Sequence, residues 1–334
     1  MDPTTRALNQ GIRQARTPVL SALAVVLLAM PATAAVVIDW ATVGNANNPA
    51  DPTTGYGSVG YTYKIGKFEV TIGQYTEFLN NAAKSDPYGL YNPQMGSIVS
   101  IAGISRSIDG SGNFLYSTIG SASRPITYVN WFDSARFCNW MHNGQGAGST
   151  ETGVYNLNGA TSGIFIAQPG ASVWIPTENE WYKAAYYDPT PGAGGGDNYW
   201  LYPTQSETLG GNTIGVPNSA NYNDGNYAKD QNGLPTFLTE VGAYGSNSDS
   251  YYGTFDQGGS LVERNDAVIS SSSRGLRGGA WYNLSTALCS WNRSSISLSY
   301  EGADVGFRLA GVPEPCAMVL MVLSGFVAFA RRKR

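Results

Sequence analysis

Long runs rich in glycine and asparagine separate the segments of this chain that could form regular structure. They span residues 103–121, 143–172 and 190–236, and the sequence holds 41 glycines. Because Gly and Asn favour turns, we expect these three runs to be loops. The chain is thereby constrained to a loop-rich fold with few regular elements, and its binding surface should lie on the loops.

Three segments between the runs carry helix start signals, and residues 61–70 are rich in strand-forming side chains. Each cap residue offers a side-chain oxygen to free backbone N–H groups of the first turn. The predicted helices are 72–83 after Thr71, a second from Asn130 and Asp133 to His142, and a third from Thr177 and Glu180 to Tyr187.

Two hints of acid or base chemistry have structural explanations. Glu178 and Glu180 could form an acid/base pair, but the T-x-x-E pattern from Thr177 favours helix initiation. His142 is the single histidine of the sequence, so a Ser-His-Asp or Cys-His mechanism would depend on it. Its place in a last helical turn favours a role at the helix terminus instead.

Both ends of the chain have the composition of targeting segments. In residues 1–34, Arg13 and Arg16 precede an apolar run that ends in small residues, as in a secretory signal peptide. At the other end, an apolar run at 316–330 precedes four cations. Its helix would span about 22 Å, less than the hydrocarbon core of roughly 30 Å. We expect export followed by marginal anchoring.

The exported part is acidic, which excludes nucleic acid as a partner. Without residues 1–34 and the four terminal cations, the formal charge of −4 becomes −10. Phosphate binding depends mainly on clustered Lys and Arg, which this part lacks. The remaining 35–315 fits one domain.

Four motifs in order resemble the sulfatase-modifying factor family, whose active members are formylglycine-generating enzymes. They are KIGKFEVTIGQYTEFLN at 64–80, RPITYVNWFDSARFCNW at 124–140, VWIPTENEWYKAAYY at 173–187, and a closing segment at 274–310 with Gly278-Gly279, Arg293 and Gly306-Phe307-Arg308. The resemblance covers residues 61–310, after a lead-in at 35–60. It implies an α+β, C-type-lectin-like fold with few regular elements.

The tail at 312–334 is similar to the PEP-CTERM sorting signal of Gram-negative bacteria, through Pro313-Glu314-Pro315 before the apolar run. That resemblance implies a sorting protease, an exosortase, as a partner. The protein would then sit transiently in the inner membrane before it reaches the outer envelope or extracellular matrix. The alternative is an ordinary C-terminal membrane anchor.

In active members of the family, two cysteines shortly after the Gly-Gly pair hold a copper ion. Here Asn283 stands at the first of those places, and Cys289 lies near the second. Because a dithiolate site needs two soft ligands, copper is disfavoured. Cys289 is then either a packed small hydrophobe or a reactive thiol. A bridge from Cys138 to Cys289 stays open, since it needs the two Cα atoms within about 7 Å.

The resemblance also implies calcium as a cofactor. FDQGGSLVER at 255–264 aligns with the family's calcium loop, which gives side-chain oxygens at Asp256 and Glu263 and carbonyls at Gly259 and Leu261. Such oxygen ligands suit Ca²⁺. A second family site would begin at Asn221 and Tyr222, with Asp224 or Asp230 as its acid. Asp256 beside glycines is equally explained as a turn residue.

These observations predict an exported, non-catalytic binding or structural module of the family, with an extracellular polysaccharide or protein as ligand. The alternative is a formylglycine-generating-type oxidase that acts through Cys289 on a cysteine or a small substrate. Position 283 separates the two hypotheses, because an asparagine cannot supply a thiolate.

Overall fold

The computed structural model describes residues 35–98, 101, 103–228 and 237–313. The predicted signal peptide, the apolar run at 316–330 and Asp230 lie outside the described residues. Within the described ranges, no helix has the length and apolar character needed to cross a membrane.

Short helices and strands alternate with long loops along the described chain. In chain order the elements are β1 (Trp40–Val43), β2 (Tyr63–Gly66), α1 (Ile72–Ala82), α2 (Gln94–Ser97), β3 (Ile104–Ile108), β4 (Phe114–Thr118), α3 (Trp131–His142), β5 (Val173–Trp174), α4 (Glu178–Tyr186), β6 (Val262–Ser270), β7 (Ser273–Arg277), β8 (Ser294–Ser297), β9 (Val305–Gly306) and β10 (Ala310–Gly311). Single 3₁₀ turns lie at Gly194–Gly196 and Ser285–Leu288.

The strands form two four-stranded sheets and one hairpin. The first sheet has the antiparallel order β1-β2-β10-β5, so that Ala310 pairs with Ile65 on one side and Trp174 on the other. The second sheet has the order β8-β7-β6-β9, with β9 parallel to β6. Strand β1 comes from the segment 35–60 and pairs along its length with β2.

The three predicted helices are confirmed, each with its cap. Thr71 and Gln74 form a capping box at α1, Asn130 and Asp133 at α3, and Thr177 and Glu180 at α4. His142 lies in the last turn of α3, where its Nδ1 is 2.8 Å from the hydroxyl of Ser172.

The prediction of a loop at 103–121 is wrong, because this run forms the β3–β4 hairpin. Its second strand is completed by a side chain of α1. The Asn80 amide donates to the Tyr116 carbonyl and accepts from the Tyr116 N–H, both at 2.9 Å. A side chain distant in sequence therefore takes the place of a neighbouring strand.

The main core lies between α1 and α3 and reaches the closing segment. Phe78 packs against Phe137 at 5.3 Å and Trp140 at 5.2 Å between ring centroids. Phe307 packs against Phe137 at 5.7 Å. Burial of rings of this size is a major contribution to stability, and it fixes Phe307 and, next to it, Arg308.

Candidate functional site

The predicted calcium loop leads into β6, where Glu263 meets Arg308. Both residues are fully buried. The Arg308 guanidinium donates through Nε and Nη2 to the two carboxylate oxygens, each at 2.6 Å. Trp181 Nε1 also donates to Oε2, at 2.8 Å. Glu263 is thus held in a buried, bidentate ion pair.

Two further carboxyl groups adjoin this pair. The oxygens of Glu69 are buried without a hydrogen-bond partner, and Oε2 is 3.8 Å from Arg308 Nη2. Burial, with repulsion from Asp256 and Glu263, raises the pKa of Glu69 well above its usual range. Burial also raises the pKa of Asp256 to about 6, although the Gly242 N–H donates to its Oδ2.

The structure brings the two predicted calcium segments side by side. Gly259 pairs with Asn221 in an isolated bridge, and the Ser260 N–H donates to the Asn221 carbonyl at 2.8 Å. The Asn221 side-chain oxygen is buried and unpartnered, as a cation ligand could be. In contrast, the Tyr222 carbonyl accepts from the amide of Asn212.

The fit to calcium is therefore mixed, and the site stays a prediction. Oxygen donors are the right chemistry for this ion, and Leu261 lies fully buried in the loop between Gly259 and Glu263. Arg308 nevertheless already occupies both oxygens of Glu263. Across the described ranges, no cluster of three or more His, Cys, Asp or Glu side chains could hold a metal ion.

Glu178 and Glu180 have separate structural partners. Glu180 Oε2 accepts from the Thr177 N–H at 2.7 Å, which completes the capping box. Glu178 instead binds two guanidinium groups, that of Arg277 at 2.8 Å and that of Arg293 at 2.7 Å. Neither carboxylate is left free for acid/base chemistry.

The residues at the family's copper positions do not fit copper. The Asn283 side-chain oxygen accepts from the Ala280 N–H at 2.8 Å and closes a turn. Cys289 is buried and packs with Leu288 and Tyr202, and burial raises the pKa of its thiol. A copper dithiolate site needs two thiolate ligands, whereas these positions offer one buried thiol and an amide that is already hydrogen-bonded.

Cys138 and Cys289 are both free thiols. Cys138 belongs to the main core between α1 and α3, whereas Cys289 belongs to a separate apolar cluster with Leu288. The bridge that the sequence left open is therefore absent from the structure.

A cleft of about 330 Å³ opens beside Asn283, over the second sheet. All four strands of that sheet contribute residues to it, including Val262, Leu276, Ile296 and Val305. Its polar residues are Arg277, Tyr282, Asn283, Asn292, Ser294, Ser295 and Asp304. Sequence reasoning singled out only Asn283 among these, because the others come together through strand pairing rather than through a motif.

An aromatic cluster adjoins the cleft. Tyr282 packs on Trp281 at 5.2 Å, and Trp281 packs on Phe237 at 4.4 Å and on Tyr227 at 5.3 Å. Tyr282 is 41 % exposed, and its hydroxyl donates to Asp304 at 2.6 Å. The ring is thus held in place while one part of it faces solvent.

Residues 41–312 match the family model described as a sulfatase-modifying factor enzyme 1-like domain. A search of curated proteins found no match.

Several solved structures are similar to this chain. CarF is 18 % identical, covers 83 % of this chain and 99 % of its own, and superposes with a TM-score of 0.48. Variable protein 1 of Treponema denticola is also 18 % identical, with coverages of 83 % and 95 % and a TM-score of 0.48. PvdO from Pseudomonas aeruginosa is 13 % identical, with coverages of 83 % and 92 % and a TM-score of 0.42.

Proposed function

The chain belongs to the sulfatase-modifying factor enzyme 1-like family, and from that premise we propose that it is a non-catalytic binding module. The predicted α+β, C-type-lectin-like fold class is likewise confirmed. What separates this chain from an oxidase is the chemistry at positions 283 and 289, where the family's active members carry their copper ligands.

The observation that carries the proposal is the state of those two side chains. The Asn283 side chain closes its own turn by accepting from the Ala280 N–H, and Cys289 is a buried residue, 3 % exposed. A thiolate is the nucleophile and the metal ligand, and burial disfavours it here. The described part of the chain therefore offers neither a copper dithiolate nor an activated thiol at this place.

The proposed setting is the envelope or extracellular matrix of a Gram-negative bacterium, reached by export and exosortase processing. The support is the composition of the two ends and the acidic charge of the part between them. The ligand would be an extracellular polysaccharide or protein, bound by loops on a rigid core.

Copper binding and peptide oxidation by the purified full chain test this function. We expect no oxidation of a cysteine-bearing sulfatase peptide above a Cys289→Ser control, and the same weak copper uptake in both proteins. Turnover that depends on Cys289 would establish the oxidase instead.

A further inference from the structure

We propose that the cleft beside Tyr282 binds an uncharged oligosaccharide, an inference that rests on the proposed binding function and names its ligand class.

The cleft combines an apolar floor with a polar rim. Leu276 and Val305 are buried residues of the sheet beneath it, and Ile296 is partly buried. Amides and hydroxyls surround them, from Asn292, Ser294 and neighbours. Such groups both donate and accept hydrogen bonds, as sugar hydroxyls do. An apolar pocket with a few convergent polar groups is the usual form of a ligand site.

The charge of the cleft disfavours an anionic ligand. Among the described residues that line it, Arg277 is the only cation. Its Nε donates to Glu178, and its Nη1 donates to the carbonyls of Ser290 and Asn292. Its Nη2 forms no hydrogen bond but lies 2.8 Å from Glu178 Oε1, so the charge of the guanidinium is balanced by that carboxylate. The other charge is Asp304, a carboxylate that accepts from hydroxyls and repels phosphate, sulfate or uronate groups.

Tyr282 supplies a flat apolar surface at the rim. Its contacts with Trp281 and Asp304 fix the ring before any ligand arrives. A ring that is already ordered loses little conformational entropy on binding. The C–H face of a pyranose can pack on it while the hydroxyls reach the amides, because tyrosine joins an apolar body to a polar tip.

Isothermal titration of the full chain with three neutral hexasaccharides tests the proposal. The probes are cellohexaose, maltohexaose and mannohexaose, with hexagalacturonate as the anionic counterpart. We expect at least one neutral probe to bind with a Kd of about 1 mM or tighter. Tyr282→Ala and Asn292→Ala should each weaken that binding at least about tenfold. The matched control is Tyr251→Ala, since Tyr251 is 43 % exposed and does not line the cleft.

Melting curves of the variants show whether each one is folded, and Asn292→Ala still tests the site if Tyr282→Ala unfolds. The proposal is overturned if no neutral probe binds, if hexagalacturonate binds more tightly, or if both cleft variants bind like the wild type. Failure here is distinct from failure of the proposed function, which is signalled by peptide oxidation and not by absent sugar binding.

Discussion

The buried guanidinium of Arg308 forms an ion pair with Glu263, and the carboxyl groups of Glu69 and Asp256 lie close to the same guanidinium. Removing one partner of a buried pair leaves the other charge without compensation. We therefore predict that Arg308→Met lowers the free energy of unfolding by about 3–5 kcal/mol, as measured by chemical denaturation.

The control for this variant is Glu240→Gln, which changes an exposed carboxylate and should alter stability by no more than about 0.5 kcal/mol. A loss below about 1 kcal/mol in Arg308→Met would show that Glu263 is neutralised by something other than this arginine.

Lys183 is a fully buried cation that donates to the carbonyls of Gly44 and Asn45. Burial lowers the pKa of Lys183 from 10.5 to about 8. Between these values the folded state binds fewer protons than the unfolded state, so stability rises with pH through this window and is lost as pH falls toward 8.

We accordingly predict that the unfolding free energy of the wild type, taken relative to that of Lys183→Met, rises by about 1.5 kcal/mol from pH 8 to 9.5. The measurement is urea denaturation across this range. Tyrosines and cysteines also titrate in this range, but they do so in both proteins, so their effect cancels in the difference. An equal rise in both proteins would assign the effect to other groups.

Among these residues, the sequence predicted the contacts that are local in the chain but not those between distant segments. The Thr177–Glu180 pair was predictable because it acts over three positions. The Glu178 contacts were not, because Arg277 and Arg293 lie about a hundred residues further along the chain. The Glu263–Arg308 pair was not predicted either, because its two residues lie in different motifs, the calcium loop at 255–264 and the closing segment at 274–310.

At the scale of elements, capping boxes start three of the helices. The Thr177 hydroxyl accepts from the Glu180 N–H at the start of α4. We predict that Thr177→Ala destabilises the protein by about 1 kcal/mol, as measured by thermal and urea unfolding. Thr213→Ala, at an exposed loop position, is the control. Equal stability of the two variants would mean that packing alone holds α4.

The loop before β6 carries the calcium prediction. If Asp256 and Glu263 hold Ca²⁺ in the folded state only, adding calcium to protein from which metal has been removed with a chelator should raise its melting temperature. The rise should begin once the free calcium concentration exceeds the Kd. Asp256→Ala should abolish this shift. An unchanged melting curve at millimolar calcium, or an equal shift in the variant, would mean that Asp256 is only a turn residue and that Glu263 serves only as the ion-pair partner of Arg308.

The hairpin shows where element prediction failed. A glycine-rich turn between β3 and β4 favoured a loop in the sequence, and a two-stranded sheet is marginal alone. What completes β4 is the Asn80 amide on α1. No local sequence pattern predicts that a side chain of α1 will pair with β4. The helices were predictable because their caps and their apolar spacing are local features of the sequence.

For the whole molecule, the family and fold class could be predicted, since four motifs kept their order over most of the chain. The cleft could not, because it is made by the pairing of four strands. The fate of the C-terminal tail is a separate prediction that rests on its sequence alone.

We predict that the protein in envelope or extracellular fractions ends near Pro315, because an apolar run of marginal length with a basic stop would present Pro313 and Pro315 to a membrane protease. Mass spectrometry of these fractions measures the C-terminus. Replacing both prolines with alanine should retain the full-length form in the inner membrane. Intact Arg334 in the outer fraction would identify an ordinary anchor.

Strand order in the first sheet also sets when the protein can finish folding. A nascent chain emerges amino end first, yet β2 and β5 are joined only through β10, at residues 310 and 311. Until those residues emerge, β2 and β5 keep unpaired edges, which are open to chaperones and proteases. A chain truncated before β10 would therefore keep the edges of β2 and β5 unpaired and exposed to chaperones and proteases.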